Sequence, residues 1–267
     1  MGFSSYDDLI TQITTNGRKD YFSFTKTAAA ASQGAGTWHS VFTGVGQPGA
    51  GSYSSQANTL QVGSINFANV STRTRHILSF GATSTAAGVI CLYDRLVEVS
   101  GIAFGSTGSK SVSTAALGRY TSGTGVQAWL EVTTAPTATA PICHLLSYTG
   151  DVNGASQVGG SFTWPSATTK VQSMLGPLGL ASGDLGLTAV STLNVDTAGS
   201  SSPVASLILM RPIAFLPVAA NTWTERDMVL QLASLERIYD GMSLHVMQLC
   251  QASVTPTIWG AVQCGYE

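Results

Sequence analysis

From residue 60 onward the chain is written in short apolar runs broken by Gly, Ser, Thr and Pro: HILSF, GVICLYDRLVEVSGI, VQAWLEV, ICHLLSY, ASLILMRPIAFLPV, LHVMQLC and TIWGAVQC. Runs of this length, rich in β-branched residues and bounded by turn formers, predict strands. No helical period separates them in a βαβ rhythm, so an all-β sandwich or barrel follows.

One phrase is written twice. LGRYTSG at 117–123 returns as LERIYDG at 235–241. At a displacement of 118 residues Ala115, Leu117, Arg119, Gly123, Thr137, Thr139 and Tyr148 meet Ala233, Leu235, Arg237, Gly241, Thr255, Thr257 and Tyr266 without a gap. Upstream, Ile90, Leu92, Leu96 and Val99 meet Leu207, Leu209, Ile213 and Leu216 at 117, a one-residue change that a loop absorbs. Two tandem β units of common origin account for this, and turn spacing shared by all-β sequences is the alternative.

Ahead of them, SSYDDLITQITTNG opens with a capping box of Ser5 and Asp8 and sets Tyr6, Leu9, Ile10 and Ile13 at helical spacing. A short amphipathic helix over 5–15 is expected, stopped by Asn16-Gly17. YFSFTK then alternates like a strand, and the Ala-, Gly-, Ser- and Pro-rich stretch 28–55 reads as an extended arm or a surface loop. A second capping pattern, Thr224 with Asp227 before Met228, Val229 and Leu232, predicts one or two helical turns. The expected organisation is helix and arm over 1–59, a first β unit over 60–158 and a second over 159–267. The fold class is all-β, with two tandem, duplicated sandwich or jelly-roll-like units.

Only 10% of residues are charged, against roughly 25% in an average soluble domain, so little like-charge repulsion keeps neighbouring copies apart. That favours a subunit of an assembly. The 12 Lys and Arg are scattered among 14 Asp and Glu, with no basic stripe for a phosphate backbone, and nucleic acid is not an expected partner. No apolar run reaches the roughly 18 residues of a membrane span, and the N-terminus lacks a secretory pattern, so no membrane partner is expected and the chain should be made in and retained by the cytoplasm. Cys91, Cys143, Cys250 and Cys264 form no CxxC pair and read as reduced core thiols.

Motifs for chemistry are weak. GVGQPG at 44–49 has the dinucleotide spacing, but no helix pattern or ribose-binding acid follows, and GSTGSKS at 105–111 lacks the spacer of a phosphate loop. His39, His76, His144 and His245 stand apart, so neither metal nor cofactor is expected. Asp94 and Glu98 share a face by period-2 counting, with Glu131 in a further strand, and polar positions of a half-solvated sheet explain them better than a catalytic pair. Asp7, Asp8, Asp151, Asp184, Asp196 and Asp240 fall where a carboxylate can satisfy loop N–H groups. Arg119 and Arg237 each precede a turn and an apolar strand; their guanidiniums are expected to fork onto loop carbonyls of the same unit, or onto a neighbouring subunit's carboxylate.

SSYDDLITQITTNG, LGRYTSGTGVQAWLEVTT, LLSYTGDVNGASQ, LASGDLGLTAVSTL and LERIYDGMSLHV, spread in order over most of the chain, resemble a group of uncharacterised virion-associated proteins of tailed bacteriophages. The resemblance implies a capsid-associated structural role and supplies no catalytic residues. Together with the low charge it leads to the expectation of a non-enzymatic decoration or cement protein on the outer shell of a phage head, made in the host cytoplasm. The partners would be the major capsid protein and copies of itself, and Tyr6, Leu9, Ile10, Ile13, Arg119 and Arg237 are the candidate interface. A major capsid subunit of double jelly-roll type, a tail or receptor-binding protein, and a non-viral binding module or hydrolase are the rivals.

Overall fold

The structure, a computed structural model, describes residues 3–29, 33–52, 60–70, 72–165, 169–230 and 235–267. Helix α1 (Tyr6–Thr14) forms where the capping residues place it: the Ser5 hydroxyl accepts from the Asp8 N–H at 3.1 Å, and Gly17, at φ +65°, ends the turn. The Asp8 carboxylate accepts from the Gln12 amide and from the Ser4 N–H, which hold it below the usual carboxylate range. Removing the cap by Ser5→Ala should cost about 1 kcal/mol and speed amide exchange in residues 6–14 roughly fivefold, while the strands keep their protection.

The strands, in chain order, are β1 (Lys19–Thr27), β2 (Trp38–Ser40), β3 (Val45–Gln47), β4 (Arg75–Ser84), β5 (Gly88–Ala103) and β6 (Gly108–Ser111). Next come β7 (Gln127–Thr134), β8 (Ile142–Gly150), β9 (Gly154–Gln157), β10 (Phe162–Thr163), β11 (Ser173–Leu175) and β12 (Leu187–Thr197). The last are β13 (Val204–Val218), β14 (Thr224–Asp227), β15 (Arg237–Ile238), β16 (Leu244–Cys250) and β17 (Thr257–Tyr266). Every apolar run singled out in the sequence lies on one of these strands, except that Val126 immediately precedes β7. A closed barrel runs β11-β2-β16-β5-β13-β7. One flanking sheet is ordered β14-β4-β17-β1-β3 with β15 also on β4, and the other β10-β8-β12-β6 with β9 also on β8.

The two β units expected in tandem are interleaved. Among the described residues, no ladder joins two strands within 159–267; each strand there pairs with one that precedes residue 159. The repeat governs how. β5 corresponds to β13 at a displacement of 117 and β7 to β16 at 118, and the ladders keep register under that exchange. Leu207 stands opposite Leu130 as Ile90 does opposite Gln248, and Met210 opposite Gln127 as Tyr93 does opposite His245. The β4–β17 pairing exchanges with β12–β8, and β14–β4 with β6–β12, although their registers are offset from those displacements. The strand order of the barrel, and of β14-β4-β17 against β6-β12-β8, therefore maps onto itself by a two-fold operation centred on the β5–β13 ladder, with β2 and β11 closing the barrel on the opposite side.

Barrel strands alternate between two interiors, as period-2 geometry requires. Ile90, Leu92, Leu207 and Leu209 face outward into the main core, which is continuous with Ile77 and Phe80 of β4, Val262 of β17, Leu145 of β8 and Leu193 of β12. Cys91, Tyr93, Trp129, Met174, Ile208, Met210 and Met247, with Trp38 packed against them, form a separate cluster to which all six barrel strands contribute; these residues fill the lumen. In the same alternation Arg95, Glu131 and Ser206 also point into the lumen, and all three are fully buried.

Three expectations change. The described part of the stretch before residue 60 is not a free arm: β1 lies along β17 for its whole length, β2 closes the barrel and β3 pairs with β1. The Lys26 ammonium fastens this region by donating to the carbonyls of Gly44 and Gly49, each at 2.9 Å, and of Phe42 and Pro48, each at 3.3 Å. Thr224–Asp227 is strand β14, not a helix start; Asp227 Oδ1 accepts from the N–H groups of Val229 and Leu230, giving the sequence of a cap the job of a turn. Leu232 and Ala233 lie outside the described residues. Finally, Leu96 is a bulge residue, since Val97 faces Leu209 and Arg95 faces Met210. The bulge turns Asp94 and Glu98 to opposite faces of β5.

Candidate functional site

The two copies of the repeated phrase meet. The Tyr120 and Tyr239 rings contact edge to face, with centroids 5.2 Å apart. The phrases close similarly, through Gly123 N–H to Tyr120 O at 2.8 Å and Met242 N–H to Tyr239 O at 3.1 Å. Gly123 sits at φ +81°, and a Cβ there would come within 3.0 Å of Leu187 backbone, so this turn requires glycine.

Charge follows the two-fold pattern with its sign reversed. In the first half the strand carries the acid and the phrase the base: Arg119 Nε and Nη2 donate to Asp94 at 2.5 and 2.7 Å, and the Ser243 N–H donates to the same carboxylate at 3.1 Å. The position on β13 corresponding to Asp94 is Arg211, which pairs with Glu236 of the second phrase at 3.3 Å and lies 4.5 Å from the Tyr120 ring centre. Asp94 and Arg211 are themselves opposite across the ladder. The result is a row of alternating charge, Arg119, Asp94, Arg211, Glu236, buried at the first pair and half-buried at the second. Burial pushes the Asp94 carboxyl up, and the adjoining Arg119 and Arg211 guanidiniums oppose that.

Beside this row opens a cleft of about 320 Å³ lined by Arg73, Arg119, Arg237, Tyr239 and Asp240, together with Gly118 and Ile238. Arg119 is buried against Asp94, whereas Arg73 and Arg237 are exposed. The Arg237 guanidinium lies 4.5 Å from the Tyr239 ring centre, and that of Arg73 is 6.0 Å from the ring centre of Tyr266. Asp240 Oδ1 accepts from the Val70 N–H at 3.2 Å.

Thus Arg119 and Arg237, equivalent in sequence, are not equivalent in structure. Arg119 forks within its own chain onto the Asp94 carboxylate, where loop carbonyls were expected, and Arg237 remains at the surface. Sequence reasoning missed Arg73 and read Asp240 only as a loop carboxylate; for Arg73 the doubled arginine of TRTRH, unusual in so charge-poor a chain, was the available signal. Asp151, Asp184 and Asp240 do accept from loop N–H groups, whereas Asp196 lies in β12 and takes the His144 imidazole at 2.8 Å. Glu98 and Glu131 each accept from Arg95, at 2.7 and 2.6 Å, inside the lumen.

The N-terminal residues form a second exposed feature. Leu9 is buried and Ile13 half-buried, while Tyr6 and Ile10 are 53% and 54% exposed, so the helix face is divided between its own body and solvent. The helix lies over β17, where a Cβ on Gly265 would come 3.4 Å from Phe3 and 3.6 Å from Ile13. A mainly apolar groove of about 470 Å³ runs beside it, lined by Ile13, Tyr21, Leu78 and Cys264 together with Lys19, Asp20 and Gln263, and Tyr21 is largely exposed.

No family model matches the sequence, and no curated protein matches it. Among solved structures the chain has a weak likeness to viral capsid proteins of the jelly-roll kind. With the VP2 subviral particle of infectious bursal disease virus it shares 7% identity at a TM-score of 0.20, over 96% of this chain and 85% of that one. With the VP1 pentamer of Human Polyomavirus 6 it shares 11% identity at a TM-score of 0.17, over 94% and 95%. A likeness at that level carries no functional inference.

Proposed function

We propose that the chain is a structural subunit of a virus particle, in its finer form a decoration or cement protein that binds the outer head shell through the α1 face. The observation that carries this reading is the apolar patch on the N-terminal side, where Tyr6, Ile10 and Tyr21 stay exposed beside a mainly apolar groove in a charge-poor chain. Contiguous exposed apolar side chains rimmed by polar ones mark contact surfaces. A rigid body tied by buried ion pairs suits a lattice, in which many weak contacts repeated by symmetry add up. The virion itself enters through the sequence blocks that resemble tailed-phage virion proteins.

Because Tyr6 and Ile10 are exposed, the double variant Tyr6→Ser, Ile10→Ser should leave the melting temperature unchanged. Its occupancy on purified heads, measured by co-sedimentation, should fall at least about tenfold, the loss expected when two apolar anchors leave an interface. Unchanged occupancy would remove this face from the contact. Closed shells formed by the chain alone would replace the cement reading with that of a major capsid protein.

A further inference from the structure

We propose that the cleft where the two repeated phrases meet is an oxyanion site, taking a carboxylate or phosphate group on the guanidiniums of Arg73 and Arg237. Three of the chain's 12 Lys and Arg line this one cleft of about 320 Å³. Gathering like charges is unfavourable unless something of opposite sign joins them. Inside the fold only part of that demand is met. Asp94 answers Arg119, and Asp240 contributes one carboxylate at the rim. Among the described residues neither Arg73 nor Arg237 makes an ion pair.

The sign reversal across the two-fold pattern explains why. An arginine in the second phrase would need an acid on β13 to repeat the Arg119–Asp94 pair, and that strand position is Arg211, itself committed to Glu236. Arg237 is left facing solvent. Its guanidinium is not loose, because it lies over the Tyr239 ring, which packs on Tyr120. Stacking on an aromatic face fixes the plane of a guanidinium and leaves its N–H edge for bidentate donation to a planar carboxylate or to two phosphate oxygens. The Asp94 clamp on Arg119 holds the neighbouring wall. The cleft is large enough for a small ligand or an acidic side chain. This inference stands apart from the virion reading and does not use the α1 face.

The test is a chemical-shift titration of the full-length chain at low ionic strength with two probes, inorganic phosphate and the peptide acetyl-Glu-Glu-amide. At least one should saturate, with a dissociation constant on the order of 1 mM. Arg73→Gln and Arg237→Gln should each weaken it about tenfold, since each removes a charge-assisted donor. Asp240→Asn should strengthen it about threefold by removing a like charge, a gain that general loosening of the fold would not produce. All three side chains are exposed, so melting temperatures should not move. Preference for the peptide identifies an acidic protein segment as the source of the oxyanion, and preference for phosphate identifies a phosphate-bearing ligand. Saturation by neither probe, or binding indifferent to both arginine substitutions, overturns the proposal.

Discussion

Arg95→Met should destabilise the fold by roughly 3–5 kcal/mol, the range found when one partner of a buried ion pair is deleted. In the barrel lumen Arg95 reaches Glu131 through Nη1 at 2.6 Å and Glu98 through Nη2 at 2.7 Å, and all three side chains have no exposure. The Phe42 ring covers the guanidinium, with its centre 4.2 Å from Cζ. Methionine fills a similar volume but leaves two carboxylates together in a closed interior, each disfavoured by burial and by the other. Burial already pushes the Glu98 carboxyl up even with Arg95 in place. Against a typical net stability of about 5–15 kcal/mol, such a loss brings the variant close to unfolding. Urea unfolding at pH 7 measures it, and the deficit should shrink as the pH is lowered, because burial raises the Glu98 carboxyl and so eases its protonation. The triple variant Arg95→Met, Glu98→Leu, Glu131→Leu should recover most of the loss, because it removes both charges along with their partner. A single Arg95→Met variant as stable as the parent would show that the triad is not ionised in the folded barrel.

Acid should weaken the molecule through its buried histidines. His39 is fully buried, with Nε2 against the Gly34 carbonyl at 2.9 Å, and burial pulls its imidazole down to about 4. His245, in the lumen beside Tyr93 and Phe42, is pushed well below the usual histidine range by burial, helped by the Arg95 and Lys26 charges. Between about pH 6.5 and pH 4 the unfolded chain therefore binds protons that the folded chain refuses. Stability is full above pH 6.5 and falls as pH drops through that window. The His39 shift, from 6.5 to about 4, corresponds to about 3 kcal/mol at pH 4. Urea midpoints at pH 7.5, 6.5, 5.5 and 4.5 test this, alongside His39→Gln, whose amide can still donate to Gly34 but does not titrate. The variant should lose stability less steeply over that range; a slope equal to the parent's would mean that His39 is not the group responsible.

The legible and illegible parts of the fold differ in length and in locality. Long strands such as β5 and β13 declared themselves because a run of apolar and β-branched residues has few alternatives once turn formers bound it. Even Pro212 and Pro217 did not mislead, since they lie beyond Met210, where the β7 ladder on that side ends. Helix α1 was legible through Ser5 and Asp8. β2 and β11 were not: three residues each cannot show a period, although Trp38 and Met174 help close the barrel. The Leu96 bulge was equally hidden, and with it the separation of Asp94 from Glu98. At the cleft, the phrase could be read twice, but the reversal of charge at Arg211 could not, because it depends on which residues face each other across a ladder.

The pairing of β1 with β17 sets Lys19 against Gly265 and Thr27 against Thr257, and β4 waits for the same partner. During synthesis, then, the flanking sheet exists only as two separate groups, β1 with β3 and β4 with β14 and β15, each with a bare edge until the segment around 257–266 leaves the ribosome. Contacts of such long sequence separation form slowly, because a large loop must close before any ladder bond rewards it. The nascent chain spends that interval with unpaired strand edges open to its neighbours on the same message. Sparse charge, which suits a lattice subunit once folded, offers little protection then, so growth temperature and chaperone supply should govern the yield of folded chain more strongly than the final stability does.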